Sequence, residues 1–195
     1  MSGARRLLPA LAALVLLASG LFSAGHAAAG GVTRVDVPGS RDGGIAISGV
    51  IGMDDVAAFH RLAQQAPNAV VVTSGPGGRV AAAIEIGQEL RHRGMQTMVP
   101  ANTDCASACA LIWLAGARRT LMPGGRIGFH AVSMLRQNGE LTETHDIDYV
   151  LRHYLSWLGY SEDATATIVN TPSDFVRWLD PIELQANGFA TATGP

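Results

Sequence analysis

Beyond residue 31 the chain alternates between short apolar runs and longer amphipathic ones. Val32 to Val37 alternates apolar and polar residues, which predicts a strand. Pro38 to Gly44 is a glycine-rich turn and Ile45 to Ile51 a second strand, so a hairpin opens the domain. Asp54 is placed to cap a helix over Asp55 to Gln65, with Pro67 just beyond its end. Ala69 to Thr73 is a β-branched run of the kind buried strands carry. The tight loop Ser74-Gly75-Pro76-Gly77-Gly78 leads into a helix over Arg79 to Arg93 that Gly94 stops. The alternation then repeats. Gln96 to Val99 predicts a strand, Asn102-Thr103-Asp104 offers caps, and Cys105 to Ala117 reads as a mostly apolar, buried helix. Short strands are expected at Thr120 to Met122 and Arg126 to Phe129, and Ala131 to Thr142 is an exposed excursion. Helices follow over Glu143 to Leu158, Glu162 to Val169 and Pro181 to Asn187, the second and third joined by a loop through Pro172. Repeated strand–helix units predict an α/β fold with mainly parallel strands. No linker divides the chain, so residues 30–195 are expected to form one domain.

The N-terminus has a different character. Arg5 and Arg6 precede an apolar run from Leu7 to Phe22, and small residues fill Ser23 to Gly31. This order reads as a signal peptide over residues 1–29, cleaved after Ala27 or Ala29, and implies a periplasmic or secreted protein. The alternative is an uncleaved anchor, the one membrane attachment expected, although the run is short for a span of ~20 residues. Over the 195 residues, 48% are hydrophobic and 15% charged, which suits one sizeable core. A net charge of −2 argues against a nucleic-acid partner. All 14 basic residues are arginine.

Three segments carry candidate chemistry. In the Gly77-Gly78 loop, glycines let the backbone turn sharply and present amide N–H groups, which can hold an oxyanion or simply connect a strand to a helix. In Cys105-Ala106-Ser107-Ala108-Cys109, Ser107 sits at a predicted helix start, where unpaired amides and the dipole favour negative charge. It is a candidate nucleophile, or a helix cap. In Gly128-Phe129-His130, a histidine ends a short strand and can serve as general base to a serine on a neighbouring element. Cys105 and Cys109 stand four residues apart, within bridging distance on a helix in an oxidising compartment. Two small buried hydrophobes are the other reading. Two cysteines without a histidine at ligand spacing do not make a zinc site, and no metal or cofactor is expected.

Taken in order, the Gly-Gly loop, the small-x-Ser-Ala helix start with Ala115-Gly116, Gly128-Phe129-His130, and Asp180-Pro181-Ile182-Glu183-Leu184 before Gly188-Phe189 resemble the Clp-protease proteolytic-subunit family. The resemblance spans roughly Ile45 to Ala190. Small predicted periplasmic proteins of the same fold, with a Cys-x-Ser-Ala-Cys signature, look closer still. The resemblance implies the Clp/crotonase spiral of ββα units, assembly into homo-oligomers, and a peptide or protein substrate. It implies Ser107 as nucleophile, His130 as base, and the Gly78 and Ala108 amides as oxyanion hole. The third acid is where this chain departs from the pattern; Asp174 is the nearest candidate, and Asp180 reads as a helix cap. Exported signal-peptide peptidases of this fold use a Ser–Lys dyad, which a chain without lysine cannot supply. The expected function is an exported serine peptidase or related hydrolase. The competing expectation is a non-catalytic binding scaffold of the same fold.

Overall fold

The computed structural model describes residues 31–189 together with strand residues 192 and 193. The expected signal peptide, with its cleavage after Ala27 or Ala29, falls on residues 1–30, outside the described residues.

β1 (Gly31–Val35) and β2 (Gly44–Ile51) form the expected antiparallel hairpin. β2 then lies parallel to β3 (Val70–Gly78), the longest strand, which α1 (Asp54–Gln65) connects to it. β3 belongs to two sets of strands. Val71 and Val72 pair in parallel with β4 (Thr97–Val99), whereas Gly75 pairs with Cys105 of β5 (Asp104–Ala106). On the β4 side, β6 (Arg119–Leu121) and β11 (Ala192–Thr193) continue the parallel order. On the β5 side, β7 (Arg126–Phe129) is parallel and β10 (Arg177–Leu179) closes the edge antiparallel. The fold is α/β with mainly parallel strands, as the alternating pattern predicts.

Between the two sets runs α3 (Ala108–Leu114), with every residue buried. Its sequence, Ala-Cys-Ala-Leu-Ile-Trp-Leu, is apolar on all sides, as a helix with core around its whole circumference must be. It packs on β3 and on α2 (Val80–His92). α4 (Asp148–Trp157) lies beyond, and the buried Tyr154 hydroxyl donates to the Leu111 carbonyl at 3.2 Å. α5 (Glu162–Val169) and α6 (Pro181–Ala186) complete the helices; α6 opens with Asp180 as its expected cap, and Glu183 completes a capping box.

Five expectations are corrected. Residues 74–78, read as a tight loop, are the end of β3, because pairing with β2 and β5 carries the strand through the glycines. Residues 104–106 are strand, so α3 begins at Ala108 rather than Cys105: pairing of Cys105 with Gly75 and Ile127 overrides the local pattern. Residues 141–143 are β9 (Leu141–Glu143), paired with β8 (Ser133–Leu135), so α4 begins five residues later than its periodicity suggests. β10 occupies residues read as loop. Asp54 is the first residue of α1 rather than its cap; the neighbouring Asp55 carboxylate accepts the Gly52 N–H at 2.8 Å instead.

Candidate active site

β3, β5 and β7 lie side by side and run the same way, so their C-terminal ends meet. Those ends carry Gly77-Gly78, Ser107 and His130. In open parallel sheets, the space beyond the carboxyl ends of the strands is where ligands bind.

Ser107 joins β5 to α3 in a single residue. Its N–H donates to the Gly128 carbonyl at 3.0 Å, continuing the β5–β7 ladder, and its carbonyl accepts from Leu111 N–H at 3.1 Å, inside the first helical turn. Changing from strand to helix over one residue forces φ to 56° and ψ to −125°. Asn102 is the other non-glycine residue with positive φ among those described. A backbone of this kind costs about 1–3 kcal/mol and persists only where its surroundings impose it. Ser107 holds the N-cap position, but its hydroxyl makes no cap hydrogen bond. Capping therefore does not account for the side chain. A strained strand-to-helix turn that presents a serine is the arrangement of a nucleophile elbow.

The glycine loop presses against this elbow. A Cβ on Gly77 would stand 2.7 Å from Ser107 Cβ and 2.9 Å from Ala108 N. Gly78 pairs with Ile51, whose carbonyl accepts the next amide, Arg79 N–H, at 2.9 Å. The Gly78 N–H is thus left out of that bond, and Gly78 lines the same cleft as Ser107 and His130. Ala108 opens α3, where first-turn amides have no partner within the helix.

His130 is half-buried, and its Nδ1 lies 2.6 Å from the Ala131 carbonyl oxygen. A carbonyl only accepts, so Nδ1 carries a proton, and in the neutral ring Nε2 is the nitrogen with the free lone pair. Asp174 is exposed, in a turn closed by Phe175 N–H donating to the Pro172 carbonyl at 3.1 Å, and makes no hydrogen bond to His130. Asp104 borders a second cleft with His130 but is held by Arg126 through two bonds of 2.7 Å. That guanidinium keeps the Asp104 carboxyl below the usual carboxylate range. The one partner of the His130 ring among the described residues is therefore a main-chain carbonyl, which sequence reasoning could not find because every residue has one.

Cys105 and Cys109 are joined by a disulfide, with Cα atoms 5.3 Å apart. The bridge links the strand to the helix across Ser107, rather than two turns of one helix.

Two clefts meet at Pro76 and His130. The larger, about 880 Å³, is lined by Val132, Met134 and Leu141 from the β8–β9 region and by Ser173, with Arg79 bringing a positive charge. The smaller, about 400 Å³, is lined by Gly75, Ala106, Val176 and Trp178. Glu143, on β9, accepts the Ser173 N–H at 2.6 Å and so ties the hairpin to the loop that carries Ser173. This bond holds the Glu143 carboxyl below the usual glutamate range. A depressed pKa contributes stability above the unfolded pKa and loses it as pH falls through the folded one. The Ser173 amide resonance should accordingly titrate with a midpoint below that of ordinary glutamates, and Glu143→Gln should abolish the transition. A midpoint in the ordinary range would dispose of the tie.

The chain matches solved structures over 76% of its length. A point mutant of the 1510-N membrane-bound stomatin-specific protease is 24% identical, with a TM-score of 0.61 over 77% of that chain. Another mutant of the 1510-N protease, in complex with a substrate peptide, is 23% identical, with a TM-score of 0.59 over 73% of its chain. A mutant of ClpP1 from Listeria monocytogenes is 16% identical, with a TM-score of 0.57 over 90% of its chain. The fold is that of the Clp-type proteases. No protein-family profile and no curated protein sequence matches the chain. Within this Clp-type fold, Ser107 directly follows β5 and His130 directly follows the neighbouring β7.

Proposed function

We propose that the protein is a serine peptidase in which Ser107 and His130 hydrolyse a peptide bond through an acyl-enzyme. The observation that carries this reading is a serine at positive φ, free of any capping hydrogen bond, sharing one cleft with a histidine and Gly78. His130 Nε2 takes the proton of Ser107 as Oγ attacks the scissile carbonyl. The amides of Gly78 and Ala108 receive the developing oxyanion. His130 passes its proton to the leaving amine, and water then releases the acyl group by the same steps. Preorganised donors of this kind are worth about 3–4 kcal/mol each at the transition state.

The Ala131 carbonyl takes the orienting role that the sequence assigns to Asp174. It holds the tautomer the reaction needs but adds no negative charge to stabilise the imidazolium. Asp174→Asn is accordingly expected to leave the rate nearly unchanged.

Clefts on both sides of the Ser107–His130 pair suit an extended polypeptide, with apolar side chains against Met134, Leu141 and Trp178. An oxidising, extracytoplasmic location is supported by the disulfide and by the apolar run from Leu7 to Phe22. The deciding experiment is fluorophosphonate labelling of wild type beside Ser107→Ala and His130→Ala. Absence of labelling in folded wild type would favour the binding scaffold.

A further inference from the structure

The disulfide sits where it can do little for the whole chain and much for one residue. It closes a ring from Cys105 to Cys109, with Ser107 at its middle. A cross-link stabilises a fold mainly by removing freedom from the unfolded chain, and a loop this short has little to remove. Its local constraint is severe. Cys105 is fixed in β5 between Gly75 and Ile127, and Cys109 lies in the first turn of the buried helix α3. Both cysteines are essentially inaccessible, at 0% and 1% exposure. The bridge therefore joins two rigid elements across the one residue that must hold φ at 56°. Besides the bridge, that backbone is held by two hydrogen bonds, Ser107 N–H to Gly128 and Leu111 N–H to Ser107, and by Gly77 packed against it. Relaxing the turn would move Oγ within the cleft it shares with His130, and the Ala108 amide with it.

We infer that the Cys105–Cys109 disulfide is a positioning device for the nucleophile, so that the enzyme is competent when oxidised and impaired as a dithiol. The inference rests on the hydrolase reading above. Forming the bridge converts two thiols into one S–S bond and passes two electrons and two protons to an oxidising disulfide. The activity would then appear only after the chain reaches an oxidising compartment.

The test uses the protein spanning residues 30–195 in three forms: oxidised, refolded under dithiothreitol, and reoxidised from that state with glutathione disulfide. The Cys105→Ala/Cys109→Ala double variant is measured beside them. The fluorophosphonate labelling rate and the melting curve are recorded for each. The dithiol form and the double variant should remain folded at the assay temperature while labelling falls about 10²-fold, the scale of an ångström-sized misplacement. Reoxidation should restore the rate. If the double variant does not fold, the dithiol form with its native side chains decides. Equal labelling of oxidised and dithiol forms, or a loss that only tracks the unfolded fraction, overturns the positioning role and leaves the hydrolase reading intact. Oxidised wild type that never labels overturns both.

Discussion

Ser107→Ala should abolish fluorophosphonate labelling and peptidase activity, a loss on the order of 10⁶-fold, without lowering the melting temperature. His130→Ala should bring labelling down nearly as far, because nucleophile and base act as a unit. The stability half of this expectation follows from the backbone. The Ser107 hydroxyl bonds to nothing in the cap, so its removal costs no structural contact. Ser107→Gly goes further. With φ at 56° and ψ at −125°, the native turn is strained for any residue with a Cβ and nearly free for glycine. Relief of that strain, less glycine's greater unfolded-state entropy, leaves a gain of about 1 kcal/mol. For a chain of this size that raises the melting temperature by about 2–4 °C. An inactive Ser107→Gly variant that melts above wild type would identify the turn as strain kept for function. A Ser107→Gly variant that melts well below it would mean that the serine is structural, and the hydrolase reading would lose its main support.

The candidate site was legible in the sequence to the extent that its parts are local. Gly77-Gly78, Ser107 and His130 each stand at a boundary between elements, and boundaries rich in glycine or small residues are readable. Helices with a clear amphipathic stripe, such as 162–169, were placed to the residue. The apolar run after Asp104 was not. Short apolar segments cannot be told from buried helix by period alone, and only the long-range ladder to Gly75 and Ile127 makes residues 104–106 a strand. That error matters because it hides the strand-to-helix turn at Ser107, the most informative feature of the site. β10 was missed for the same reason: its order comes from pairing with β7, far away in sequence. The resemblance to the Clp-type family assigns the orienting group of the proposed base His130 to an acid, Asp174, because that family places an aspartate before its terminal helix. A carbonyl becomes a candidate only once the chain beyond His130 has been placed.

Gly77→Ala should be the most damaging substitution in the glycine segment, although Gly77 carries no side chain. Its added Cβ would lie 2.7 Å from Ser107 Cβ, 2.8 Å from the Ala106 carbonyl oxygen and 2.9 Å from Ala108 N, with φ at +103°. None of these neighbours is the loose end of a flexible chain. β3 cannot retreat either, since Gly75 is paired with Cys105 and Gly77 with Val50 on opposite sides. The strain must pass into the Ser107–Ala108 peptide, which carries both the proposed nucleophile and one proposed oxyanion donor. Overpacking against backbone costs about 1–3 kcal/mol, and positive φ for alanine adds to it. Displacing one oxyanion donor costs about 10²–10³ in rate. Gly94→Ala separates the two contributions. Gly94 also has positive φ, at +65°, but nothing within 4 Å of its added Cβ. It should lose about 1 kcal/mol from backbone strain and keep full activity. Urea unfolding and labelling rates on the two variants therefore distinguish a turn that merely needs glycine from a loop pressed against the nucleophile. Should Gly77→Ala label at the wild-type rate, the glycine loop does not support the oxyanion hole.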